Sequence, residues 1–176
     1  MPYYNGSGKG DIKEFKVSLS RDGYVYATDS RLVALTYIAR VYPNMFVTRN
    51  GKECFLEIVP DFFEKTVKGR SGYLYTLENA QGFESVPQSN KCGHTHVVRI
   101  SKDVKVTKVE FISDIYSELL KYIHSGELII QKFDTLDKDF VDKFQAEIIK
   151  NSDQSKTPIN RLDLILDYKN RQEKDI

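Results

Sequence analysis

The sequence predicts a single α+β domain, and three observations carry that expectation. β-rich runs cluster in the middle of the chain, helical periodicities are inserted between them and appended after them, and no regular strand-helix alternation develops. At 176 residues the chain suits one domain around one core. Its balance of 40% apolar and 29% charged residues is that of an ordinary globular protein, which excludes the disordered and fibrous classes.

Taken in order, Met1 to Tyr4 reads as a short aromatic strand edge, and three glycines in Asn5-Gly6-Ser7-Gly8-Lys9-Gly10 read as a loop. Ile12, Phe15, Val17 and Leu19 then alternate roughly. Tyr24-Val25-Tyr26-Ala27-Thr28 has strand propensity and runs into Asp29-Ser30, a capping pair for a helix over 30–42 that stops before Pro43. Strands are expected at Glu53 to Val59 and Gly72 to Leu77, with the polar segment Phe62 to Gly69 as a loop or turn between them. Glu78 to Gly93, rich in Gln, Asn, Ser, Gly and Pro, reads as a surface loop. Three more strands follow at His94 to Ile100, Val104 to Phe111 and Leu128 to Phe133, and a helix capped by Ser113 is expected before the last of them. Phe140, Phe144 and Ile148 recur every fourth residue in a helix ending near Asn151, and Leu162, Leu164, Ile165 and Leu166 begin a final one. The expected organisation is therefore a domain over 1–133 with a helical extension over 134–176 packed on it.

Twenty-six basic against 25 acidic residues leave a net charge of +1, so nucleic acid is not indicated as a partner. Two cysteines are too few for a disulfide framework, no signal-peptide plan opens the chain, and no apolar run approaches the roughly 20 residues of a membrane span. A cytoplasmic protein without membrane association is expected. Eleven Tyr and ten Phe with no Trp supply enough rings for both a core and a stacking cleft.

Two segments combine those rings with exposed main chain. In Tyr4-Asn5-Gly6-Ser7 a glycine after a strand lets a ligand approach backbone N–H and C=O closely. Tyr26 and Tyr37 supply rings that could enclose a flat heterocycle such as nicotinamide or adenine. The same tyrosines also suit a strand and helix that simply pack together. The glycines lack Walker spacing, so a P-loop is rejected. Cys92, His94 and His96 are metal-ligand types without an evident fourth ligand, Cys54 and His124 being the only candidates, and a polar strand end is the preferred reading, with no metal. Cys92 as a nucleophile lacks an identifiable orienting group, and Lys102, Lys105 and Lys108 read as a solvated face.

At these residues the chain resembles the ADP-ribosyltransferase superfamily. Tyr4-Asn5-Gly6-Ser7 is similar to that family's opening strand with His-Gly-Ser, and Tyr26-Ala27-Thr28-Asp29 to its Tyr-Phe-Ala-Asp segment. Tyr37 falls at the family's helical tyrosine, since 37 − 26 = 11 as in the family pattern. Gly72 to Leu77 and Ser101 to Val106 look like bacterial and phage members, and the resemblance spans residues 3–133. It implies NAD or a related nucleotide as ligand, with Gly6 presenting its backbone to the nicotinamide amide, Tyr37 stacking and Tyr26 forming the facing wall. Asn5 occupies the place of the family histidine, and Val98-Arg99-Ile100-Ser101 holds no carboxylate where the family has its glutamate; Glu84 and Glu110 are the nearest substitutes. The implied activity is accordingly altered or absent transfer, a pseudoenzyme. The alternative reading is a non-catalytic interaction module of bacterial or phage origin whose C-terminal helices engage a protein partner.

Overall fold

The computed structural model describes residues 2–20, 22–39, 45–86, 96–152 and 161–174. Within them the chain is α+β, with ten strands, five α-helices and two short 3-10 turns. The strands are β1 (Tyr3–Ser7), β2 (Glu14–Phe15), β3 (Val25–Thr28), β4 (Phe46–Arg49), β5 (Lys52–Leu56), β6 (Gly72–Leu77), β7 (Glu84–Ser85), β8 (Val97–Ile100), β9 (Val104–Ile112) and β10 (Leu128–Gln131). The helices are α1 (Arg31–Ile38), α2 (Phe62–Val67), α3 (Ile115–Ser125), α4 (Lys138–Ser152) and α5 (Leu162–Lys174). One sheet runs β2-β9-β6-β1-β3-β8-β7 and is antiparallel throughout. A second, mixed sheet runs β10-β5-β4, with β10 parallel to β5.

Side-chain alternation divides the large sheet between two cores. Tyr4 and Leu74 face the larger one, where α1 meets Phe46 and Phe55 of the small sheet, Phe62 and Phe63 of α2, and Leu119 of α3. Tyr3, Tyr75, Leu77, Val25 and Ala27 face the opposite way, into a smaller cluster covered by Ile12, Phe15 and Val17.

Local chemistry sets most boundaries. The Ser30 hydroxyl accepts from Val33 N–H at 3.3 Å and starts α1; the part of the expected helix beyond residue 39 reaches positions 40–44, outside the described residues. Asp114, rather than the expected Ser113, caps α3 by accepting from Ser117 N–H at 3.2 Å. Gly126 ends that helix in the left-handed region.

The segment expected as a polar loop at Phe62 to Gly69 contains helix α2. Its charged residues face solvent while Phe62, Phe63, Thr66 and Val67 are buried, and the Glu57 carboxylate receives Phe63 N–H at 3.2 Å and pairs with Lys132 at 3.2 Å. Two further elements carry no strong sequence signal. β4 owes its pairing to the Asn50-Gly51 hairpin, where both residues have positive φ, and β7 is a two-residue rung inside the polar loop that begins at Glu78.

The C-terminal helices share the larger core, to which α4 contributes Ile148 and α5 Ile165. Gln145 of α4, 1% exposed, donates to Ile58 C=O at 2.6 Å. Among the described residues no helix is long and apolar enough to cross a membrane.

These contacts predict that Ile148→Ala and Ile165→Ala each cost about 2–5 kcal/mol in denaturant unfolding. Changes near zero would make α4 and α5 an appendage without a structural role.

Candidate functional site

Helix α1 lies flush on β1. A Cβ built on Gly6 would stand 2.0 Å from the Ala34 carbonyl oxygen and 2.8 Å from Ile38 Cγ1, so only glycine fits there. Gly72, in the neighbouring strand β6, is crowded in the same way by Ile38 at 2.3 Å. The close approach that demands glycine at position 6 is therefore made first by the protein's own helix, and a ligand would have access to Gly6 edge-on, through the plane of the sheet.

That edge is open. β1 pairs with β6 over five residues but with β3 only at Tyr4 and Thr28, after which the two strands part. Asn5 Nδ2 spans the opening and donates to Tyr26 C=O at 2.8 Å. Carbonyls of alternate strand residues point to the same neighbour, so this contact identifies the Tyr26 and Thr28 carbonyls as those facing β1. Tyr4 and Thr28 then exchange hydrogen bonds directly, and Gly6 N–H, two residues on, also points toward β3. The ladder does not extend to Gly6.

The residues expected to form the site divide between the faces of the sheet. Tyr4, Gly6 and Tyr26 lie on the α1 face by alternation, while Asn5 and Ser7 lie on the other, opposite Tyr75 and Tyr73. Ser7 Oγ accepts from Lys9 N–H at 3.1 Å, which commits it to the following turn. Tyr37 is half-buried on α1. At about 100° per helical residue, Arg31 and Tyr37 flank Ala34 on opposite sides. Arg31 reaches Glu110 of β9 at 2.5 Å, so Tyr37 leans toward the β3 side, where Tyr26 stands.

A transverse row of the sheet continues past the opening: Tyr26 is opposite Arg99 of β8, and Arg99 opposite Glu84 of β7. Arg99 Nε binds Glu84 at 2.7 Å, and its guanidinium stacks 4.3 Å from the centre of the Tyr24 ring. Where the family resemblance looks for a carboxylate the chain thus holds an arginine already paired. Neither substitute reaches Gly6: Glu84 is three strand spacings away, and Glu110 lies beyond β6 and is bound by Arg31. The Tyr26 phenol donates to Asp22, a contact that holds the Asp22 carboxyl below its usual range and raises the phenol above its own.

On the Asn5 face the opening leads into a groove of about 720 Å³. Phe15, Val25 and Leu19 supply apolar surface, Asn5 and Tyr24 polar edges, Lys9, Lys13 and Lys16 line it as cations, and Asp11 and Glu14 as anions. Tyr75 lies beneath, its ring edge-on to Phe15 at 5.5 Å and its hydroxyl donating to Lys9 C=O. The sequence offered no signal for this groove, because residues 9–20 and 24–26 meet only through the sheet.

His96 lies outside the opening, its Nδ1 3.0 Å from Asp29 Oδ1. Its candidate companions Cys92 and His94 lie outside the described residues, among which no group of three or more metal-ligand side chains converges. Fold and site define an α+β domain whose main sheet pairs by a single rung beside a glycine and borders an aromatic-lined groove of mixed charge. Comparison with protein-family models, with curated proteins and with solved structures finds no match for this chain.

The Tyr26 and Asp22 contact yields a titration test. Tyr26, with its pKa raised, remains protonated past the ordinary tyrosine range, so the contact stabilises the fold below that range and is lost as pH rises through the shifted value. Ultraviolet titration should place Tyr26 and the buried Tyr75 late in wild type, and Asp22→Asn should return one of the two to the bulk; an unchanged curve would remove Asp22 as the cause.

Proposed function

We propose that this chain binds NAD or a related nucleotide at the split between β1 and β3, with altered or absent transferase activity. The observation that supports the reading is the β1–β3 ladder, which stops at Tyr4 and Thr28 and leaves Gly6 beside Tyr26 without a paired rung. Main chain next to a ladder that stops is suited to an incoming acceptor. The carboxamide of a nicotinamide ring offers such an acceptor, and a purine with a ring carbonyl offers a similar one.

The surroundings support a nucleotide over a simple amide. Tyr26 borders the groove from β3, Phe15 and Tyr24 add aromatic surface in it, and Tyr37 stands half-buried on α1. Lys9, Lys13 and Lys16 suit a diphosphate, although Lys16 shares its charge with Glu14 at 3.8 Å. NAD, when bound, supplies a glycosidic bond with nicotinamide as leaving group. The chain's own contribution to breaking that bond is weak. Asn5 gives one of its two amide N–H groups to Tyr26, and the place expected for a carboxylate holds Arg99, whose charge would disfavour an oxocarbenium-like centre.

Calorimetric titration with NAD should give saturable heat, and Tyr37→Ala should weaken binding by about tenfold, the equivalent of one aromatic contact. Binding should also weaken with added salt, as the three lysines imply. Absence of heat at about millimolar NAD would end the proposal. Nicotinamide release is expected to stay at the background rate in the same samples.

A further inference from the structure

We infer that the outer side of β9 is a self-docking edge, on which a second copy of this chain pairs antiparallel about Val109 and joins two large sheets into one. β9 lies two strands away from β1 in the sheet, so this pairing does not depend on nucleotide binding.

The two sides of β9 are covered unequally. β6 runs beside it from Val106 to Ile112, whereas β2 meets it only at Val104 and Lys105, and Lys13 C=O accepts from Val106 N–H at 2.9 Å just beyond. Along Thr107 to Phe111 no further strand lies on that side among the described residues. Thr107 and Lys108 are exposed there, as are the apolar side chains of Val109 and Phe111, by 44% and 57%.

That stretch is complementary to itself. Two copies related by a two-fold axis normal to the sheet pair antiparallel and keep side chains of one face together. Centred on Val109, such pairing sets Lys108 opposite Glu110 of the second copy on both sides of the axis, Val109 opposite its own equivalent and Thr107 opposite Phe111. Moving the axis by one residue, to Lys108 or to Glu110, sets like charges directly against each other. Charge therefore selects a single register, and it is centred on the uncovered stretch.

The faces of the sheet agree with it. Glu110 is opposite Leu74 and Lys108 opposite Thr76, which places both charges on the α1 face; Arg31 binds Glu110 Oε1 at 2.5 Å, and the second carboxylate oxygen can accept from a lysine. On the other face Phe111 rests against Tyr73, ring centres 5.0 Å apart, and pairing would join Val109 and Phe111 of each copy in one apolar strip across the axis. Edge strands are commonly blunted by an unmatched charge, whereas the lysine of this edge meets its match in a second copy. The β-bulge between Thr76 and Leu77 bends the strand at Thr107, so the contact is short and belongs to the weak class of interfaces.

Sedimentation at rising protein concentration tests the pairing. Wild type should pass from monomer to dimer between about 1 μM and 1 mM, without larger species, because a two-fold contact closes on itself. Lys108→Glu should weaken the dimer by about tenfold, and so should Glu110→Lys, in which Arg31 keeps Glu118 at 3.6 Å. An equimolar mixture of the two variants should dimerise like wild type, since their exchanged charges then oppose each other across the axis. Circular dichroism reports that each variant is folded; should Glu110→Lys fail to fold, Val109→Lys, which sets like charges on the axis at an exposed position, takes its place as the second weakened dimer. A wild type still monomeric at about 1 mM, a dimer that Lys108→Glu leaves as tight as before, or two folded charge variants that do not recover on mixing overturns the proposal.

Discussion

The contact between α1 and β1 organises the rest of the molecule. Two glycines on neighbouring strands, Gly6 and Gly72, clear enough space for the Ala34 carbonyl and the Ile38 side chain to rest directly on the sheet. Close approach brings Leu35 and Ile38 into the larger core with Phe55 and Phe62, so the small sheet and the helices beneath it pack against a fixed surface. It also sets the roll of α1, which directs Arg31 toward Glu110 and Tyr37 toward β3. A side chain at position 6 would lift the helix by ångströms and loosen all of these contacts together.

Seating α1 on one face leaves the other to a different economy. The smaller cluster around Tyr75 is covered by β2 and the turns beside it rather than by a helix, and the groove forms where that cover ends. The opening between β1 and β3 joins the two faces: glycine is imposed from the α1 side, and the Asn5 amide is supplied from the groove side. One short strand therefore packs under a helix on one face and borders the groove on the other. Neighbouring strands normally pair over several residues, which is why a single-rung pairing in mid-sheet is informative.

Elements with a strong local signature were legible in the sequence. β3 and α1 follow from Tyr24 to Thr28 and the Ser30 cap, and α4 from the fourfold spacing of Phe140, Phe144 and Ile148. α2 was not, because six residues with charges at Glu64 and Lys65 read as polar until the aromatic pair Phe62 and Phe63 finds a core. β4 and β7 were invisible for a related reason: a strand's pairing partner is set by another segment, and neither segment alternates clearly enough to announce it. Among the candidate residues, Tyr4, Tyr26 and Tyr37 belong to elements the sequence placed, whereas Gly6, expected in a loop, lies in β1, and Asp22 and the groove residues from Lys9 to Leu19 entered only through the fold.

By itself the sequence determined the α+β class, the strand and helix that carry Tyr26 and Tyr37, and the presence of glycine at position 6. Those properties are written in propensity, capping and composition over a few neighbouring residues. Tertiary structure alone decided that Gly6 is claimed by a helix on one face, that Asn5 reaches Tyr26 while bordering the groove, and that Arg99 pairs with Glu84. Each depends on which strand lies beside which and on where the pairing stops. Such long-range register is not encoded by any one stretch of chain.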